Sequence, residues 1–290
     1  MFLPKLAHPI DYSEHLFQQV KENYRIEPKY DGIRLIAISD DSGVHFYTRS
    51  QRDITAKLLY LKEEMLLLPV NTMLDGELIL KTDSKREELG NIQKIIGSSP
   101  ERANRIIDEI GKPIYQVFDV LWYDGQAVHK LSLADRINFF FEFDGLADHI
   151  KYVKRLQEAD ITKAFQQILS ENGEGIVVKD LRKSYSESFW LRKKGVNTID
   201  LTVTGFYPAG GRYSGKEMVG SLKGCLYDDH TKTLSKVANI YGMSDDERRY
   251  FYQVFTKNPE VQIICECKYS HRFPSGGFRF CSFLRIREDK

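Results

Sequence analysis

The sequence of 290 residues predicts an α+β protein in two domains, residues 1–195 and 196–290. Three observations carry that expectation. Strand-like apolar runs alternate with capped helical segments as far as about residue 195; beyond it the texture changes to short strands broken by glycine-rich turns; and 42% hydrophobic residues are enough for two cores of this size.

The elements follow in order. "IRLIAIS" and "VHFYTR" read as two strands joined by the turn "DDSG", so Lys29 falls just before the first strand. "AKLLYLKEEMLLL" has helical spacing and "MLDGELIL" strand spacing. "SPERANRIIDEIG" offers Ser as N-cap, Pro at the first helical position and Gly at the stop. "PIYQVFDVLWYDG" is a further strand and turn, "SLADRINFFFEF" a capped helix, and "DITKAFQQILSENG" a helix that ends before the strand "GIVVKD". The second domain holds five strands, "IDLTVTGFYPAGG", "SLKGCLYDD", "TLSKVANIYG", "VQIICECKYS" and "FRFCSFLRIR", with one helix, "DDERRYFYQVF". That set fits a small OB-fold β-barrel, an architecture whose exposed face commonly meets nucleic acids.

Bulk properties narrow the class. No apolar run reaches the roughly 18 residues of a membrane span, and "MFLPKLAHPIDYSEH" lacks a signal-peptide layout, so a cytoplasmic protein without a membrane partner is expected. The four cysteines, Cys225, Cys265, Cys267 and Cys281, have no zinc-knuckle spacing, and Cys265 and Cys267 are expected to share one strand face as reduced apolar residues. Net charge is +1, but residues 181–290 hold 19 Lys+Arg against 12 Asp+Glu, and residues 1–180 hold 23 against 29. The back of the chain is cationic, as a solvated basic face or as a nucleic-acid surface.

Five short stretches carry chemistry: "KYDGIR" (Lys29 to Arg34), "LDGEL" (Leu74 to Leu78), "VFDVLWYDG" (Val117 to Gly125), "EGIVVK" (Glu174 to Lys179) and "WLRKKG" (Trp190 to Gly195). In this order they resemble the motifs of the covalent nucleotidyltransferases, which include ATP-dependent DNA and RNA ligases and capping enzymes. "GSLKG" (Gly220 to Gly224) and the ending "FLRIREDK" are similar to the OB domain of DNA ligases in particular. The resemblance implies an ATP-grasp-like adenylation domain of antiparallel sheets and helices followed by the OB domain. It also implies a monomer that acts on ATP and nicked duplex DNA with Mg²⁺ or Mn²⁺.

On that resemblance Lys29 would attack the α-phosphate of ATP and become lysyl-AMP. A free lysine amine has a pKa of about 10.4, so only about one molecule in 800 is neutral near pH 7.5. Closing that gap takes on the order of 4 kcal/mol from desolvation, neighbouring cations and a metal ion. Lys179, Lys194, Arg192 and Arg34 are therefore expected to crowd Lys29 and to hold the triphosphate. Glu77 would contact the ribose or a metal-bound water, Glu174 would hold the divalent ion, and Phe118 would stack on adenine. Glu27 would offer its backbone to the adenine edge, with no task for its side chain. Arg34 and Arg49 would meet nick phosphates, and Asp31 would assist activation of the 3′-hydroxyl. Arg287 and Lys290 would orient the β- and γ-phosphates.

The pattern departs from the family at "WLRKKG", where Arg192 stands in a place that usually carries lysine; arginine keeps the charge but does not lose its proton. No helical DNA-binding segment precedes Lys29, so the two catalytic domains are expected to grip DNA alone. An RNA ligase or capping guanylyltransferase shares the lysine motif and "DGEL", and a silent OB-type nucleic-acid-binding protein would share the scaffold. "GSLKG" and "RIREDK" weigh against the first two, and the intact Lys29, Glu77, Glu174 and Lys194 weigh against the last.

Overall fold

In the computed structural model the described residues are 3–80, 89–142, 145–171, 173–195, 197–228, 231–273 and 276–287. The chain divides into two compact units, Met1–Lys194 and Gly195–Lys290.

The first unit runs β1 (Ile10–Asp11), α1 (Glu14–Phe17), β2 (Tyr24–Lys29), β3 (Ile33–Asp40), β4 (Gly43–Thr48), α2 (Leu59–Met65), β5 (Thr72–Ile79), α3 (Leu89–Gly97), α4 (Pro100–Ile110), β6 (Ile114–Trp122), α5 (Leu133–Arg136), β7 (Ile150–Tyr152), α6 (Ile161–Ser170), β8 (Gly175–Asp180) and β9 (Trp190–Lys194). Lys29 is thus the last residue of a strand, β2, and not the residue before the first one. The strand "YRIEPK" hides in the sequence because its Glu, Pro and Lys are poor strand formers, and pairing with β8 overrides that preference.

Two sheets form, ordered β1-β9-β8-β2 and β4-β3-β5-β6-β7. Strand alternation sorts their side chains into layers. On the first sheet Ile26, Ile176, Val178 and Leu191 pack against Ile161, Ala164 and Ile168 of α6. On the second, Leu35, Ala37, Leu74 and Leu78 pack against Leu61, Met65, Ile92, Ile95 and Ala103 of the helices. The remaining faces share a third cluster, in which Ile36, Met73 and Leu121 meet Trp190, Tyr185 and Ala7. Each fully buried aliphatic side chain contributes about 1.5–3 kcal/mol, so these layers fix the spacing of the polar side chains between the sheets. Helix α4 begins as its sequence dictates, with the Ser99 hydroxyl accepting from the Arg102 amide and Pro100 in the first turn.

The second unit comprises β10 (Asn197–Pro208), β11 (Val219–Asp228), β12 (Thr233–Ile240), α7 (Asp245–Lys257), β13 (Ile263–Tyr269), β14 (His271–Arg272), β15 (Phe278–Arg279) and β16 (Ser282–Ile286). Its five-stranded antiparallel sheet has the order β12-β11-β10-β13-β16. Ser244 and Glu247 form a reciprocal capping box at the start of α7, whose Phe251 and Phe255 join Leu201, Val203, Leu222 and Phe283 in the core. Among the described residues no ladder closes this sheet into a barrel. The ends of β12 and β16 do meet, with Tyr241 N–H donating to the Cys281 carbonyl and Phe283 N–H to the Tyr241 carbonyl. All four cysteines are reduced and buried.

Candidate active site

The polar site lies between the two sheets of the first unit and starts from one row of backbone register. Lys29 on β2 faces Gly175 on β8, and Gly175 faces Lys194 on β9. The middle position must be glycine: its φ is +152°, and a Cβ there would stand 2.1 Å from the Lys193 carbonyl oxygen. Glu174, one residue earlier, places its carboxylate between the two flanking lysines. Lys29 Nζ donates to Oε2 at 2.6 Å and Lys194 Nζ lies 2.7 Å from Oε1. Lys29 and Glu174 are each about one-fifth exposed, so both ends stay reachable from solvent.

Farther down the same face, Glu27 and Lys179 form a buried pair at 2.6 Å, each 2% exposed. The other Glu27 oxygen accepts from Arg25 Nε at 2.5 Å, and Arg25 also donates to the Val153 carbonyl. The Glu27 side chain therefore has the task the sequence reading denied it, neutralising two buried cations. Lys179 also donates to the Phe118 carbonyl at 3.0 Å and lies over the Trp190 and Phe118 rings, 4.3 and 4.9 Å from their centres. Burial lowers its pKa against the opposing pull of Glu27.

From the second sheet come Arg34 and Glu77, paired in register across β3 and β5, and Asp75 two residues before Glu77 on the same face. Gly76 between the acids is forced by crowding, since a Cβ would sit 2.5 Å from the Gln116 carbonyl oxygen and the Tyr115 ring. Arg34 forks onto fully buried Asp75 at 2.9 and 2.6 Å, and donates to the Ala7 carbonyl at 2.6 Å and the Tyr185 hydroxyl at 3.0 Å. Tyr185 in turn donates to Asp75 at 2.5 Å. Burial pushes the Glu77 carboxyl up to about 8, against the pull of Lys29 and Arg34.

Four cations were expected to crowd Lys29, and their ion pairs divide them. Lys194 shares Glu174 with it, whereas Lys179 is held by Glu27, Arg34 by Asp75, and Arg192 by Asp11 at 2.7 Å. A buried cation needs a counter-ion close by, and for Lys179 and Arg34 a carboxylate on the neighbouring strand supplies it. Asp31 is half-buried in the turn after Lys29. Phe118 is half-buried, edge-on to Trp190 at 5.6 Å, with the Arg34 guanidinium 5.5 Å from its ring. Arg49 is exposed at the end of β4, has no carboxylate partner among the described residues, and lines a groove with Arg52, Ser50, Thr48, Ile33 and Ile96. Arg287, in the second unit, is fixed to both oxygens of Asp200 at 3.0 and 2.9 Å. Lys290 lies outside the described residues.

The sequence reading missed Arg25, Asp75 and Tyr185, and also Asp119, which carries the fork of Arg136 at 2.6 and 2.8 Å. Asp75 and Asp119 had a usable signal, an acid inside an apolar strand. Tyr185 had none, since it arrives from a loop 110 residues away in the chain.

Among the described residues no three His, Cys, Asp or Glu side chains converge as a metal cage. Glu77 and Glu174 are close enough for the charge of one to act on the other. Two carboxylates suit Mg²⁺ when phosphate oxygens and water complete its octahedron, so this donor set fits a metal that arrives with a nucleotide.

Residues 4–195 match the family model described as ATP dependent DNA ligase domain. A probable DNA ligase of Streptomyces griseus subsp. griseus is 31% identical over 91% of this chain and 57% of its own length. One of Saccharopolyspora erythraea is 28% identical over 99% of this chain and 59% of its own. The chain thus spans somewhat more than half the length of these relatives. A prophage-derived DNA ligase-like protein of Bacillus subtilis, 28% identical, is covered over 92% of its length and covers 90% of this chain. The fold is shared with a Lig E DNA ligase described as binding DNA with a minimal scaffold (TM-score 0.68, 19% identity, 99% of this chain and 100% of that one). A mycobacterial DNA ligase D complexed with ATP and MES has a TM-score of 0.54 at 22% identity, over 99% of this chain and 95% of that one.

Proposed function

The chain belongs to the ATP-dependent DNA ligase family, and we propose that it seals 5′-phosphate/3′-hydroxyl nicks in duplex DNA through lysyl-AMP and DNA-adenylate. The observation that carries this reading is the row Lys29–Gly175–Lys194 with Glu174 between its two amines. It joins a partly exposed lysine, a second cation and a carboxylate beside the polar side chains that lie between the two sheets.

Lys29 Nζ bonds to the α-phosphorus of ATP while the bond to the β-phosphate bridging oxygen breaks, and pyrophosphate leaves with that electron pair. Before this Lys29 must release Glu174 and lose a proton; Lys194 remains as the carboxylate's second partner and faces the phosphates. Glu77 and Glu174 would hold Mg²⁺ or Mn²⁺, which would supply charge neutralisation for the triphosphate. Phe118 offers a ring to adenine, and Lys179 and Arg34, each pinned by an acid, hold that ring's surroundings rigid. Glu27 presents its backbone to the adenine edge while its side chain keeps Lys179 in place. Arg192 adds positive charge without proton transfer.

AMP then passes to the 5′-phosphate of the nick, and the 3′-hydroxyl, assisted by Asp31, displaces it. Arg49 and the cations of the basic back half grip the phosphates. We read residues 1–195 as the adenylation domain and 196–290 as an OB-type barrel, a reading supported by the five-strand order and by the Tyr241–Cys281 and Tyr241–Phe283 backbone bonds. In it Arg287 and Lys290 act on the β- and γ-phosphates. We further read the protein as a monomer of the cytoplasm.

The test is incubation of the protein with labelled ATP and, separately, GTP in the presence of Mg²⁺, followed by addition of nicked DNA. A covalent AMP adduct, absent in Lys29→Ala and Lys29→Arg and discharged on nicked DNA, is the expected result. Labelling by GTP, or discharge on nicked RNA alone, would transfer the reading to capping or RNA-joining enzymes.

A further inference from the structure

The second unit carries an aromatic and basic face that the reaction at Lys29 does not use. Tyr207, near the end of β10, is 38% exposed. Lys236 Nζ donates to its hydroxyl at 2.8 Å and stands 4.8 Å from its ring centre, and Lys223 Nζ stands 5.1 Å from the same centre. The hydroxyl pKa is lowered, chiefly by the Lys236 hydrogen bond. Among the described residues neither Lys223 nor Lys236 is paired with a carboxylate.

The face continues across the neighbouring strands. Lys223 on β11 lies opposite Asn239 on β12, and Cys225 lies opposite Lys236. The Asn239 amide nitrogen reaches to 3.5 Å of the Tyr241 hydroxyl, and Tyr241 is half-exposed, as is Tyr227 farther along β11. The bland account is two lysine stems covering an aromatic ring. It leaves unexplained two lysines without a carboxylate partner among the described residues and two further exposed tyrosines.

An apolar protein partner would leave both ammonium groups unpaired, and an acidic peptide would have no use for exposed ring faces. Nucleotides use phosphate and base together: phosphates neutralise the lysines and bases stack on the rings. Bases in a duplex present only their edges, so stacking requires unpaired nucleotides. We propose that the Tyr207–Lys223–Lys236–Tyr241 face binds single-stranded DNA, which extends the substrate class to breaks flanked by unpaired nucleotides, such as gaps and overhangs. This rests on the ligase reading only for the choice of DNA as the polymer.

The test uses fluorescence anisotropy of a short labelled oligo(dT) with the full chain, competed by unlabelled blunt duplex. Wild-type protein should bind the oligonucleotide, and Tyr207→Ala should weaken that binding about tenfold, the usual loss for one base–aromatic stack. Tyr207→Phe keeps the ring and should lose less than about threefold. The double variant Lys223→Glu, Lys236→Glu places charge reversal on side chains that face solvent, so it tests the face even if Tyr207→Ala melts early. Absence of oligo(dT) binding by wild type, equal losses in the Phe and Ala variants, or an equal loss on blunt duplex would each overturn the proposal. The AMP adduct on Lys29 is scored in the same preparation, so failure of the ligase reading registers separately.

Discussion

Lys29 and Glu174 meet at 2.6 Å across 145 residues of chain, and the pair ties the end of β2 to the loop that opens β8. Glu174→Gln keeps the shape and removes the charge. Adenylation by ATP is expected to fall by about 10²-fold, in line with loss of one electrostatic group at a reacting centre. Because both partners are partly exposed, folding stability should change by less than about 1 kcal/mol. Single-turnover adduct formation and a denaturant melt measure the two quantities, and adduct formation at the wild-type rate would remove Glu174 from the site.

Glu77 keeps its proton in the folded chain up to about pH 8, whereas an unfolded glutamate loses it near the ordinary value of 4.5. Between these values the folded state holds more protons, so stability falls as pH rises through this window. Glu77→Gln should flatten that slope and raise the melting temperature at pH 8 more than at pH 5, in buffer without nucleotide or metal. The same variant should adenylate poorly with Mg²⁺. An unchanged slope would mean that the carboxyl is already ionised in the folded chain.

Asp75 is fully buried and anchors the Arg34 fork and the Tyr185 hydroxyl. Asp75→Ala strands a guanidinium away from water and is expected to cost about 3–5 kcal/mol in urea denaturation. Asp11→Ala, which breaks the exposed pair with Arg192, should cost less than about 1 kcal/mol. Similar costs for the two would contradict the burial of the Arg34 network.

Arg49 projects into solvent beside the groove floored by Ile33 and Ile96. Arg49→Ala should weaken nicked-duplex binding and reduce the slope of log affinity against log salt by about one, the signature of one lost phosphate contact. A slope that stays at the wild-type value would take Arg49 off the DNA.

Arg287 donates its backbone N–H to the Ile264 carbonyl at 2.8 Å and its side chain to Asp200, so deleting the last residues would damage the sheet as well as the chemistry. The single change Arg287→Ala separates the two. Adenylation by ATP should drop by at least about tenfold while sealing of a nick that already carries 5′-adenylate is retained, because pyrophosphate leaves only in the first step. Equal losses in both steps would make Arg287 a structural residue of the second unit.

The chain itself determined most of the element order, because strand alternation, Ser99, Pro100 and the Ser244–Glu247 cap act over a few residues and are written in them. The five motifs were legible through their resemblance to the covalent nucleotidyltransferases, and two of their glycines, at 76 and 175, stand where backbones crowd. Strand β2 was hidden, since its six residues gain their pairing only from β8, about 150 positions later. How the cations expected around Lys29 are paired was not legible, because charge alone says nothing of distance. Only the stacked sheets decided that Lys194 joins Lys29 on Glu174 while Lys179, Arg34 and Arg192 each meet a different acid. An ion pair depends on where two strands bring their side chains, and its strength falls with separation and with access of water, neither of which a linear sequence fixes.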